Sequence, residues 1–291
     1  MKTKLIDYVD NGPIFITGHV NPDGDALGSA FALKLFLDSQ NIISDVDFDI
    51  TTKLPSNLNH LPYHLISDDL KEKYNTVFVF DCGNSSRLGK YEEVVLAAEN
   101  VVVIDHHVDP SFGDVQIIDP HAASTTQVLF RQFKDENIEI NEEMANCLLT
   151  GLITDTGRFQ YSNTTSEVFS IAAELLGNGA NLSKISENIY GSIEFNALTL
   201  QSKIIERIVL NEDLQFAHSI VFQNDYKDYQ VEPEETDFLI DVVRLVKEST
   251  VALLIKEQED GSFKGSLRSR GDIDVQKIAS IFGGGGHVAA S

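Results

Sequence analysis

Four short stretches of this 291-residue chain concentrate acids and histidines: His19-Val-Asn-Pro-Asp23-Gly-Asp25, Asp81-Cys82-Gly83, Asp105-His106-His107-Val-Asp109 and Thr154-Asp155-Thr156-Gly157. Each follows an apolar run, at 14–17, 77–80, 101–104 and 148–153, and so reads as the end of a strand. In an open parallel sheet the carboxyl ends of the strands line one crevice, where residues far apart in sequence converge. Two cations ~3.5–4 Å apart need several protein ligands and at least one bridging carboxylate, and the four stretches offer that many. Carboxylates mixed with imidazoles, without thiolate, suit Mn²⁺ first, with Mg²⁺, Fe²⁺, Co²⁺ and Zn²⁺ as alternatives. The spacing predicts a hydrolytic site built on two divalent metal ions.

Taken singly, most of these residues also have ordinary readings. Asp23 and Asp25 sit where a turn opens a helix, and either could be a plain cap. Asp81 and Asp155 read as turn acids, although Asp81, just before Gly83, could bridge two cations. The pair His106-His107 is harder to explain by packing. One imidazole can ligate metal while the other contacts substrate, and Asp105 can orient a ring. Alternation along the strand end points Cys82 away from the metals, into packing. Arg158 is placed to hold a phosphate, the alternative being a surface arginine at a helix start. Phe159 and Tyr161 could stack on a base, but core packing is the better reading. Arg268 and Arg270 alternate along an apparent strand and could grip a second phosphate from one face, unless they are merely solvated. Gly283 to Gly286 permit close backbone approach, and N–H groups at Gly284, Gly285 and Gly286 beside His287 would favour an anion. Ser124-Thr-Thr126 reads as a helix cap, with phosphate contact at that N-terminus as the alternative. His60, His64, His121 and His218 receive no role.

The elements that must position these groups alternate. Strands are expected near 14–18, 44–50, 77–81, 101–105 and 115–118, and helices near 25–39, 91–99, 125–137, 142–154 and 165–178. Such alternation predicts an α/β fold with a mostly parallel sheet. A helix from Glu194 to Leu210, with an apolar stripe of Phe195, Leu198, Ile205 and Ile208, is expected to join two domains. After it come a strand at 214–222, an acidic turn-like segment at 225–235, a helix at 236–247, two strands turned at Glu259-Asp-Gly261 and a helix at 275–282. The domains are read as 1–190, a linker helix 191–210 and a smaller α/β domain 211–291. A formal charge of −23, from 45 acids against 22 bases, disfavours long duplex DNA, because such binding needs many Lys and Arg contacts to phosphates. A small phosphorylated ligand held by metals and a few arginines remains compatible. No apolar run approaches the ~18 residues of a membrane span, and no signal peptide opens the chain. A cytoplasmic protein that does not bind membranes, with reduced buried cysteines, is expected; a homodimer is compatible with the sequence.

The ordered set of motifs resembles the DHH superfamily of phosphoesterases. His19-Val-Asn-Pro-Asp-Gly-Asp-Ala-Leu-Gly-Ser29, Asp81-Cys-Gly, Asp105-His-His107 and Thr154-Asp-Thr-Gly-Arg-Phe159 match its catalytic motifs in order. Gly265-Ser-Leu-Arg-Ser-Arg270 and Phe282-Gly-Gly-Gly-Gly-His287 resemble the associated DHHA1 substrate domain. Within the superfamily the likeness is to the short two-domain bacterial oligoribonucleases and 3′-phosphoadenosine-5′-phosphate (pAp) phosphatases. The resemblance implies one ion held by His19, Asp23, Asp81 and Asp155, and another by Asp25, Asp81, His106 and Asp155. Asp81 would bridge, His107 would touch the scissile phosphate or leaving oxygen, and Asp105 would support it. It implies a hydrolase that degrades nanoRNA to mononucleotides and removes the 3′-phosphate of pAp, with the second domain holding the nucleotide end through Arg268, Arg270 and the glycine-histidine turn. Hydrolysis of cyclic di-AMP or linear pApA is the alternative, and a silent nucleotide-binding protein a weaker one, since no ligand is missing. A Rossmann oxidoreductase is disfavoured, because no Gly-x-Gly-x-x-Gly follows the first strand. The family pattern continues beyond the glycine-rich motif, so the second domain is expected to be shortened at its C-terminus.

Overall fold

Near-continuous apolar runs make strands that must be buried on both faces, and in the first unit they form a parallel sheet with covers on either side. The computed structural model describes residues 4–9, 12–51, 53–108, 111–271, 273–286 and 288–291. The chain divides into two compact units, Met1–Ser192 and Ile193–Ser291. In the first, strands β1 (Ile14–Gly18), β2 (Ser44–Val46), β3 (Thr76–Phe80), β4 (Asn100–Asp105) and β5 (Val115–Ile118) pair in the order β2-β1-β3-β4-β5, every neighbour parallel. Side chains alternate across it. Ile14, Ile16, Phe78, Phe80, Val102 and Ile104 join one core with α1 (Gly24–Ser39), α3 (Thr125–Asp135), α4 (Glu142–Asp155), α5 (Ser166–Gly177) and α6 (Leu182–Tyr190). Phe15, Val77, Val79, Val101 and Val103 face the other way, against Tyr74, Leu88, Tyr91 and Val95 of α2 (Glu92–Leu96). Cys147 lies in the first core and Cys82 in the second, both buried and unoxidised.

Two expected elements of the first unit are clearly shorter than the sequence suggests, and in the second unit the helix expected at 194–210 stops at Glu206, with Val209–Asn211 a strand. The strand expected at 44–50 ends at Val46, because Asp47 accepts a hydrogen bond from the Tyr91 hydroxyl and Asp49 accepts the Lys90 N–H at 2.8 Å. These bonds tie the segment to a 3₁₀ turn, Ser85–Tyr91, and the helix expected at 91–99 runs only from Glu92 to Leu96, three residues short at its end.

The second unit builds a sheet in the order β6 (Val209–Asn211), β7 (Phe216–Val221), β8 (Val251–Glu257), β9 (Phe263–Ser269), with only the central pair parallel. One face is covered by α7 (Phe195–Glu206), α8 (Gln223–Tyr229) and α9 (Leu239–Arg244); α10 (Val275–Ile281) follows β9. The apolar stripe expected on α7 is displaced. Ala197, Leu200 and Ile204 enter the core, whereas Phe195 is 74% exposed and Leu198 and Ile205 are 48% exposed. The acidic segment expected as a turn contains α8, started where Asp225 accepts the Phe222 N–H at 2.8 Å and pairs with Arg207. Residues 289–291 run beside β9, with Ser269 N–H donating to Ala289 and Ser291 N–H to Leu267, both at 3.0 Å. Among the described residues, no helix is long and apolar enough to cross a membrane.

Helices α1 and α4 touch through backbone, since a Cβ on Gly28 would fall 2.4 Å from the Cys147 carbonyl oxygen. Alanine in a helix interior gains roughly 1 kcal/mol over glycine, but forcing these helices apart costs more. Gly28→Ala should lower the free energy of unfolding by about 1–3 kcal/mol in urea titration; unchanged stability would show that the contact yields freely. His60 supplies a pH dependence. Its Nε2 lies 2.9 Å from Thr150 Oγ1 of α4, and burial first, then the Lys184 charge, push its pKa from 6.5 down to about 4. The folded chain keeps this ring neutral where the unfolded chain would protonate it, so stability falls as pH drops through that window. Urea titrations at about pH 7 and about pH 5 should show a smaller loss for His60→Gln than for wild type, and equal losses would refute the role.

Candidate functional site

Asp23, Asp25, Asp81, Asp105 and Asp155 converge with His19, His106 and His107, brought in by the loop before α1, the ends of β1, β3 and β4, and the end of α4. Asp109 and His287 lie outside the described residues. Asp155, expected at a strand end and equally just past a helix at 142–154, is the last residue of α4. Its apolar run, 148–153, is a buried helical face.

Three sets of potential ligand atoms lie within 4.8 Å of one another: His19, Asp23 and Asp81; Asp25, His106 and Asp155; and Asp81, Asp105, His106 and His107. Asp81 belongs to two of them. Its Oδ2 is 3.5 Å from His19 Nε2, and its Oδ1 is 3.6 Å from His106 Nε2 and 3.4 Å from His107 Nδ1. The backbone at Asp81 is left-handed, with φ of 55°, an uncommon conformation for a residue with a side chain and a local strain held by its surroundings. His106 Nε2 also lies 3.3 Å from Asp155 and 4.0 Å from Asp25.

The imidazoles are oriented by their far nitrogens. His19 Nδ1 is 2.9 Å from the Val20 carbonyl, and His106 Nδ1 is 3.3 Å from that of Ala122. A carbonyl only accepts, so Nδ1 carries the proton and Nε2 faces the carboxylates, the arrangement of metal-ligating histidines. His107 differs: its Nδ1 meets Asp105 Oδ1 at 2.7 Å. That oxygen also accepts the N–H groups of His106 and His107, at 2.7 and 3.0 Å. Asp105 Oδ2 is buried with no hydrogen-bond partner among the described residues.

Asp25, fully buried, is held by the start of α3. Its Oδ2 accepts the Thr125 N–H at 2.6 Å and its Oδ1 the Thr126 N–H at 2.9 Å. Ser124 Oγ accepts the Gln127 N–H at 3.0 Å, so the first three N–H groups of the helix are satisfied. The alternative of a phosphate at this N-terminus is therefore corrected: a carboxylate of the chain occupies it. Opposite, a Cβ on Gly151 would meet Asp25 Oδ1 at 2.5 Å, which explains glycine there. Asp23 caps α1, accepting the N–H groups of Asp25 and Ala26 at 3.0 and 3.1 Å.

Charges so crowded distort one another. Burial and then repulsion from Asp81 raise Asp25 to about 7, with His106 partly offsetting them. Burial and Asp25 likewise raise Asp155 well above the usual carboxylate range. Burial also disfavours the Asp81 anion, but His19, His107 and His106 outweigh it and hold Asp81 far below that range. Against the effect of burial, Asp23 and Asp81 lift His19 to about 10, and Asp155, Asp25 and Asp81 lift His106 to about 11. His107 is raised chiefly by Asp105, again against burial. Among the described residues no lysine or arginine pairs with the five acids, so positive charge must come from protonated imidazoles or bound cations. Hard carboxylate oxygens, histidines whose Nε2 faces those carboxylates and the unpartnered Asp105 oxygen fit divalent cations.

Other expected contacts are redistributed. Arg158, exposed and past the end of α4 rather than at a helix start, lies over the Tyr190 ring at 4.1 Å. Phe159 packs on the core and against Phe169, at 5.4 Å between centroids. Arg268 donates to the Leu267 carbonyl at 2.9 Å, and its Nε is buried without a hydrogen-bond partner among the described residues. Arg270 corrects the expectation of a shared phosphate grip. Its guanidinium binds the Arg244 carbonyl, and that of Val246 at 3.2 Å, closing the C-terminal end of α9. The Gly284 N–H caps α10 through the Ala279 carbonyl at 2.9 Å instead of facing an anion; Gly285 is exposed and Gly286 half-buried. Sequence reading took Thr125 only as part of a helix cap and missed Gly151; the signal for their contact with Asp25 was spatial, since Asp25 is remote from both in the chain.

Comparison with known proteins agrees with this geometry. Residues 13–152 match the model of the DHH family, N-terminal domain, and residues 213–291 that of the DHHA1 domain. A bifunctional oligoribonuclease and PAP phosphatase, NrnA, of Thermus thermophilus is 33% identical over 96% of this chain and 83% of its own length. Its namesake in Bacillus subtilis is 27% identical over 100% of this chain and 92% of its own. The crystal structure of an exopolyphosphatase-related protein from Bacteroides fragilis superposes with a TM-score of 0.90 at 26% identity, covering 98% of this chain and 88% of that one. With this fold, these motifs in order and relatives matched over nearly their whole lengths, the chain belongs to the DHH family.

Proposed function

We propose that this chain is a two-metal phosphoesterase that hydrolyses short oligoribonucleotides to mononucleotides and removes the 3′-phosphate of pAp to give AMP. The observation that carries this reading is the Asp81 carboxylate, whose two oxygens face different histidines. In it, His19, Asp23 and Asp81 hold one cation, and Asp25, His106 and Asp81 the other, with Asp155 shared; Mn²⁺ is the first candidate. Bound cations would supply an activated water near neutral pH and charge compensation for the phosphate. His107 is then the group that donates a proton or hydrogen bond to the departing oxygen, held by Asp105, whose charge favours the imidazolium. The names of the Thermus and Bacillus relatives support the choice of substrates. Of the second unit, Arg268 is the phosphate contact this reading retains, since Arg270 is engaged by α9.

With Mn²⁺, wild-type protein should turn over pAp and a 5′-phosphorylated RNA trimer rapidly while sparing a long RNA and cyclic di-AMP, and folded Asp81→Ala should turn over none. Preference for the cyclic dinucleotide would move the substrate assignment, and activity in a demetallated Asp81→Ala protein would overturn the two-metal site. Arg268→Ala should raise KM for pAp and trimer roughly tenfold, the scale of losing one charged hydrogen bond, with little change in kcat. An unchanged KM would remove Arg268 from substrate binding.

A further inference from the structure

The first residue of α3 touches a carboxylate of each principal ligand set. The Thr125 N–H donates to Asp25 Oδ2 at 2.6 Å, and the Thr125 hydroxyl donates to Asp81 Oδ1 at 3.0 Å. At the first position of a helix a threonine has no helical carbonyl one turn back to receive its hydroxyl, so that proton is available for a partner elsewhere. Both threonine and aspartate are buried, and no water competes easily for this bond. The Asp81 carboxylate needs such a constraint. Its backbone is left-handed, and rotation about its side chain would exchange which oxygen faces His19 and which faces His106.

We propose that Thr125 is a positioning residue that fixes the rotation of the Asp81 carboxylate relative to Asp25 and thereby sets how tightly the pair of cations is held. The inference rests on the metal reading above and adds a residue to it. A single short side chain registers the two ligand sets, because its backbone and its hydroxyl hold one acid from each.

Thr125→Val keeps the branched shape and both backbone bonds to Asp25 and removes only the hydroxyl; Thr125→Ser restores the hydroxyl. Calorimetric titration of the metal-free proteins with Mn²⁺ should show affinity weakened roughly 10–100-fold in the valine variant and returned close to wild type in the serine variant. The electron paramagnetic resonance signal of a coupled Mn²⁺ pair, strong in wild type and the serine variant, should fade in the valine variant, with kcat falling in step. A merely structural threonine would lower the melting temperature of the metal-free protein and leave the titration unmoved. Wild-type Mn²⁺ affinity in Thr125→Val, or failure of Thr125→Ser to recover it, overturns the role of Thr125 while the metal reading stands. Absence of Mn²⁺ binding by wild type overturns both.

Discussion

Mutual repulsion among the crowded, mostly buried acids around the ends of β1, β3, β4 and α4 is the condition to which the surrounding scaffold answers. Like charges a few ångströms apart in a medium of low polarity repel strongly, and removal from water adds to the cost. The fold offsets part of this with backbone dipoles. Asp23 sits at the start of α1 and Asp25 at the start of α3, where N–H groups favour a negative charge. Asp155 has the opposite placement, at the end of α4, and burial with the Asp25 charge displaces its pKa upward. Protonated imidazoles make up a further part, and cations would replace those protons on binding.

Placement of this charge cluster fixes what the neighbouring packing can be. Gly28 lets α1 lie directly on the backbone of α4, and Gly151 opens the room that Asp25 fills. Together they bring the end of α4, with Asp155, within reach of His106, which projects from the far side of the site. Small residues here serve distance rather than flexibility. The left-handed turn at Asp81 plays the corresponding part for β3, directing a carboxylate inward where a continued strand would carry it past.

Much of this was legible in the sequence. The strands at 14–18 and 115–118 fall where the apolar runs place them, and the large helices of the first unit agree within one or two residues. The acids and histidines of the metal motifs meet because parallel strands end on one side, a rule local patterning can exploit. What escaped was set by long-range contacts or ambiguous periodicity. The run before Asp155 reads both as a strand end and as part of the helix expected at 142–154, because short apolar runs do not distinguish strand from buried helix, and the helix is what forms. In α7 the expected stripe gave way to the neighbouring one of Ala197, Leu200 and Ile204, because the core of the second unit accepts that face. Arg270 has the same local spacing as Arg268, yet the end of α9 captures its guanidinium, and spacing along a strand carries no trace of that helix.

The two thiols occupy opposite sides of the parallel sheet, Cys147 beneath the helical layer and Cys82 beneath the 3₁₀ turn and α2. Burial pushes Cys82 up to about 12 and raises Cys147 as well, so neither presents a thiolate to solvent while its layer is closed. Their rates of alkylation therefore clock separate events, the lifting of one cover or the other. Whether the two layers breathe together or independently is written into the chain as a pair of native reporters, one of them adjacent to Asp81.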